Sequence, residues 1–156
     1  MKSELKKEFA MRISQANNVQ MIIIAYEMAE TYINDAVISK DEETAYVSNI
    51  DMAIKCIDEL KANLHYKYEI SVSLKNLYLY CNSRLRDAKY NKDYDALDEV
   101  NKLIKSLRES YEKVQDVDPS APLMSNAQIV VAGMTYGRNQ ILDELSNDVN
   151  NRGFLV

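Results

Sequence analysis

The chain has 156 residues, 47% of them hydrophobic and 28% charged, the profile of one soluble domain able to bury a core without metals or disulfides. A net charge of -5, with Lys and Arg mixed among acids along every segment, excludes the clustered basic face that nucleic acid requires. The longest apolar runs, Met21 to Tyr26 and Ile129 to Tyr136, fall short of the roughly 20 residues that cross a bilayer, which excludes membrane insertion and makes the cytoplasm the expected address.

Three glycines and two prolines leave few turns, so the elements must be long helices. The first dozen residues, MKSELKKEFAMR, are charged and weakly periodic, and predict an arm or a short helix. From about Asn18 to Ile38 the pattern is helical, and between Val19 and Ala29 only Gln20 and Glu27 are polar. This first long helix has to be covered on most of its circumference, by the domain or by a partner. Asp41 is the expected cap of the second, with Glu42 and Glu43 in its first turn and Tyr46, Ile50, Ala53, Ile57, Leu60 and Leu64 on its buried face.

After a loop around His65 to Glu69, the third helix buries Leu74, Leu77, Tyr78, Cys81, Leu85 and Ala88. Asp93 caps the fourth, which runs to about Gln115 and repeats Leu97, Val100, Ile104, Leu107, Tyr111 and Val114 at alternating steps of three and four. Such a seam expects neighbours packed at about 20°. The fold class is therefore all-α: an antiparallel four-helix bundle over 1–115, with a short N-terminal arm. Residues 116–156 form a linker, "DVDPSAPL", and a C-terminal extension packed on the same domain.

Chemistry of the usual kinds is scarce. His65 is the single histidine, so no zinc set or histidine-bearing di-iron site can be assembled, and neither a metal, a cofactor nor a catalytic residue is expected. Asp93, Asp95, Asp98 and Glu99 read as charges of a helix first turn rather than as a catalytic carboxylate pair. Cys56 and Cys81 fall on apolar faces and are expected as reduced thiols. Eleven tyrosines and seven methionines point instead to a surface that meets partners. Ile22, Ile23, Tyr26, Ile54, Tyr80 and Leu103 are the candidate client-binding residues, as part of an apolar groove for an amphipathic helix. Tyr32 also lies off the tidiest core stripes.

The block from Asn49 to Val114 carries a recognisable order of features. It reads "NLYLYCNSRLRDA" at Asn76 to Ala88, a Lys92-Asp93 turn, then "LDEVNKLIKSLRESYEKV" from Leu97. In this it resembles the flagellin-specific secretion chaperones of bacteria. Upstream, "QMIIIAYEMAETYI" is similar to that family's "ELTLMLYDGALRFI", with Tyr26 at its tyrosine. The resemblance implies a helical bundle that captures the C-terminal segment of flagellin, or a similar amphipathic helix. The segment folds as it binds, and the complex prevents premature polymerisation and supports export. Three features depart from the family pattern. Asn17 to Met21 stands where members have "SPGEL", Leu5 and Glu8 stand near its paired tyrosines, and the chain continues well past the fourth helix.

That continuation contains "QIVVAGMTYGRNQILDEL", Gln128 to Leu145. Strand-forming residues and two glycines, which cost a helix about 2 kcal/mol, keep a hairpin open. A helix from about Ser125 to Ser146 is the preferred reading, because Val130, Met134, Ile141 and Leu145 share a face. This helix either completes the bundle or fills the groove as a pseudo-client. The alternative to a chaperone is an interaction module whose groove is permanently filled, by its own tail or by a second copy in a homodimer.

Overall fold

The computed structural model describes residues 1–64 and 69–117. These form five α-helices, α1 (Ser3–Gln15), α2 (Asn18–Ile38), α3 (Glu43–Ala62), α4 (Glu69–Asn91) and α5 (Tyr94–Val117), with no strand among the described residues. Helices α2 to α5 close a ring in chain order, α2 on α3, α3 on α4, α4 on α5 and α5 back on α2. The short joints between them make neighbours antiparallel. Of the arm or short helix expected at the N-terminus, the chain forms the helix, α1, which lies outside the ring on α2. His65 lies outside the described residues, as do Val114 as a side chain and Val130, Met134, Ile141 and Leu145 of the extension.

Local signals set the helix limits. Asn17 Oδ1 accepts from the Gln20 backbone N–H at 2.9 Å, while Gln20 Oε1 accepts from the Asn17 N–H at 2.8 Å. This reciprocal capping box starts α2 sharply and separates it from α1. Asp93 caps α5 as expected, its Oδ1 accepting from the Ala96 N–H at 3.3 Å. Asp41 does not cap α3. It lies in the preceding turn, the N-cap position is Glu42, and no side chain caps that end. The turn is held instead by the Glu42 N–H donating to the Ser39 carbonyl, and Glu43 in the first turn of α3 is paired with Lys92.

The expected apolar seams face inward. Tyr46, Ile50, Ala53, Ile57 and Leu60 of α3 are fully buried, as are Tyr78, Cys81, Leu85 and Ala88 of α4. Leu97, Val100, Ile104, Leu107 and Tyr111 of α5 are buried with them, whereas Leu77 is only partly so. Tyrosines link helices across this core. The Tyr26 and Tyr78 hydroxyls share a hydrogen bond of 2.5 Å from α2 diagonally to α4, and Tyr26 stacks at a tilt on Tyr111, centroids 5.7 Å apart. Burial pushes both the Tyr26 and Tyr78 phenols well above the usual tyrosine range. Tyr46 Oη donates to the Ala88 carbonyl at 2.6 Å, joining α3 to the last turn of α4. The chain then reverses through Lys92 at φ 57, a left-handed residue at the helix end.

A buried hydroxyl left without its partner costs about 1–3 kcal/mol, whereas removing both partners is nearly neutral. Tyr26→Phe is therefore expected to lower unfolding free energy by about 1–2 kcal/mol, and Tyr26→Phe/Tyr78→Phe to recover most of that loss in urea denaturation.

Candidate functional site

The apolar girth of α2 decides where the site lies. Its inward side enters the core through Ile22, Tyr26, Ala29 and Ile33. Its outward side carries Ile24, which would face water in a bare four-helix ring and yet is only 3% exposed. The cover is α1, whose Phe9 is buried and whose Ile13 comes against the α2 surface near Ile24. Two ion pairs fix this helix antiparallel to α2: Arg12 to Glu27 at 2.6 Å, and the Met1 amino group to Asp35 at 2.8 Å. The salt bridge to Glu27 raises the Arg12 pKa further above its ordinary value.

The cover is incomplete. Between α1 and α3, with α2 as floor, runs a groove of about 470 Å³. Met21, Ile24, Ala25 and Met28 form the floor, Ile13 the α1 wall, and Met52 and Cys56 the α3 wall. Lys55 and Glu59 stand at its α3 side as the charged lining among the described residues. Met21 and Met28 are seven residues apart, two turns on one face, so the methionines line about 10 Å of groove. Unbranched thioethers reshape easily against an incoming apolar surface. At the α2 N-terminal end a second, more polar pocket of about 280 Å³ adjoins it, lined by Arg12, Gln15, Gln20, Ile23 and Gln115. Ile24 borders both.

The residues expected from the sequence to contact a client are not brought together. Ile22 and Tyr26 have no exposed surface, and Ile23 is 5% exposed at the edge of the polar pocket. Tyr32, which also lies off the tidiest stripes, is buried. Ile54 lies partly buried on the flank of α3 that carries Asp51 and Asp58, which meet Lys89 and Asn82 of α4, away from the methionine groove. Tyr80 and Leu103 sit on the flanks where α4 meets α5. Tyr80 is 46% exposed, its hydroxyl donating to Glu99. That bond and the Arg84 guanidinium hold the Glu99 carboxyl below its ordinary range. Met21, Met28 and Met52 were the residues missed, and the seven-residue spacing of the first two was the signal for them.

Most of the acidic cluster at the start of α5 is held in ion pairs. Arg84 meets Asp87 and Asp93 at 3.0 Å and Glu99 at 2.9 Å, while Asp98 pairs with Lys102 at 2.8 Å. Among the described residues no group of His, Cys, Asp and Glu is placed to hold a metal ion, and no helix is long and apolar enough to cross a membrane. Both cysteines are free thiols, Cys81 in the core and Cys56 half-buried in the groove wall.

An antiparallel helical bundle with an apolar cleft open between helices belongs to the class of all-α proteins suited to receiving an amphipathic segment. More particularly, residues 1–118 match the family described as flagellar protein FliS, and the chain belongs to that family. The family is one of flagellar export chaperones, which gives the chain a general role in flagellar assembly. No curated protein matches the chain.

Burial raises the Cys56 thiol to about 12, so it stays protonated and slow to alkylate at neutral pH. A thiol raised in this way contributes stability that is complete below its unfolded value of ~8.5 and is lost as pH climbs towards the folded value. Cys81 and Tyr46, each also raised to about 12 by burial, act in the same direction. The urea midpoint is expected to fall steadily as pH rises above ~8.5, and Cys56→Ala to make that fall shallower.

Proposed function

We propose that the chain is a cytoplasmic export chaperone that holds the C-terminal segment of flagellin in the groove between α1, α2 and α3, and so keeps the subunit from polymerising before export. The observation that carries this reading is the groove itself: an apolar, methionine-lined cleft on the first half of α2, where Val19 to Ala29 holds only Gln20 and Glu27 as polar residues. An amphipathic helix presents apolar residues at i, i+3, i+4 and i+7, and two turns of it match the length from Met21 to Met28. Lys55 and Glu59 are placed to meet charges flanking that stripe.

Recognition of this kind makes and breaks no covalent bond and needs no cofactor. The client orders as it binds, which lowers net affinity and keeps the complex releasable at the export apparatus. In this reading Ile22, Ile23 and Tyr26 are the packed support under the floor. Ile54, Tyr80 and Leu103 are contacts for the remainder of a client that wraps further round the bundle.

Isothermal titration with a flagellin C-terminal peptide is expected to give saturable binding, with a negative heat-capacity change from apolar burial. Met28→Gln and Met52→Gln are each expected to weaken it about tenfold, or ~1.4 kcal/mol, while Tyr90→Ser, exposed on α4, leaves it unchanged. No detectable heat at high micromolar peptide contradicts the reading.

A further inference from the structure

We propose that the segment 125–146 of this same chain folds back into the methionine groove as a built-in occupant, which a client must displace. The first observation is where α5 ends. Gln115, in its last turn, lines the polar pocket together with Gln20 and Ile23 at the start of α2, and that pocket shares Ile24 with the groove. The chain thus leaves the bundle at the pole where the groove begins, at Met21. Residues 118–124 reach up to about 25 Å when extended, and the shared residue Ile24 makes the polar pocket and the groove neighbours.

The second observation is the match of pattern to cleft. In a helix, Val130, Met134, Ile141 and Leu145 form one stripe with Gly137 inside it. Met134 and Ile141 are seven residues apart, the same spacing as Met21 and Met28 on the groove floor, so both sets extend about 10 Å. Gly137, between them, lets the segment approach α2 closely. Arg138 and Glu144 stand outside the stripe's centre, where Glu59 and Lys55 offer opposite charges. An occupant tethered this way acts at high local concentration without needing strong contacts. It shields the apolar groove until a client with a better stripe arrives.

That the occupant regulates a client rests on the chaperone reading, whereas the fold-back itself does not. Cys56 in the groove wall reports occupancy without any client. In the full chain, Met134→Asp/Ile141→Asp is expected to speed iodoacetamide labelling of Cys56 about tenfold, the factor for a groove closed about 90% of the time, with urea unfolding still cooperative and lowered by no more than that factor, ~1.4 kcal/mol. The same variant is expected to bind flagellin peptide about tenfold more tightly. An unchanged Cys56 rate overturns the proposal, as does loss of cooperative unfolding, which would make the segment a structural helix.

A second variant does not depend on disrupting the segment. Met134→Cys in the full chain is expected to link to Cys56 through a short bis-maleimide within one molecule, as mapped by mass spectrometry. Links only between molecules, or none to Cys56, overturn the fold-back. If no form binds peptide while Cys56 still responds to the tail, the fold-back stands and the chaperone reading fails.

Discussion

Apolar surface on most sides of a helix has to be covered, and the first half of α2 carries it, whereas Glu30, Thr31, Asn34 and Asp35 give the second half a polar side. Between Val19 and Ala29 its sequence offers only Gln20 and Glu27 to solvent, so apolar surface points in nearly every direction. The bundle is arranged around meeting that demand. Inward, α2 fills the ring's centre, where Tyr26 reaches Tyr78 and Tyr111. Along its flanks it packs on α3 and α5, the latter contact fastened by Arg108 to Glu30 at 2.5 Å. On the outside it takes a fifth element, α1, although four helices already close the ring.

In the proposed reading, function follows from the place where this cover stops short. One short amphipathic helix conceals Ile24 but leaves the methionines beside it lining a cleft. Fully burying an apolar side chain is worth about 1.5–3 kcal/mol, so an uncovered stripe of several is a standing attraction for another amphipathic segment. Fixed ion pairs at both ends of α1 keep the cleft's wall in place, while the thioethers within it adapt. Membership of the flagellar protein FliS family gives this attraction a biological setting in flagellar export.

Much of the fold was legible in the sequence because periodicity is a local signal. The three-and-four spacing of α3, α4 and α5 places their buried residues without reference to any neighbour, and Asn18 to Ile38 marks α2 at both limits. What could not be read depends on relations between helices. Taking Ile22 and Tyr26 as surface candidates, because they leave the tidiest stripes, overlooks that a helix at the centre of contacts buries several stripes at once. Weak periodicity in MKSELKKEFAMR left arm and short helix both open, since a helix lying on the outside needs only Phe9 and Ile13 to dock. The cap expected at Asp41 is not formed, because the turn bonded from Glu42 N–H to the Ser39 carbonyl includes Asp41 and leaves Glu42 at the N-cap.

The central claim is that the methionine groove on α2 is where the client sits, and the methionines can report on it individually. Methyl NMR of the full chain labelled at methionine distinguishes Met21, Met28 and Met52 in the groove from Met11, which is 58% exposed on α1. Titration with a flagellin C-terminal segment is expected to move the three groove signals together and leave Met11 in place. Client binding that leaves Met21, Met28 and Met52 unmoved would contradict the account.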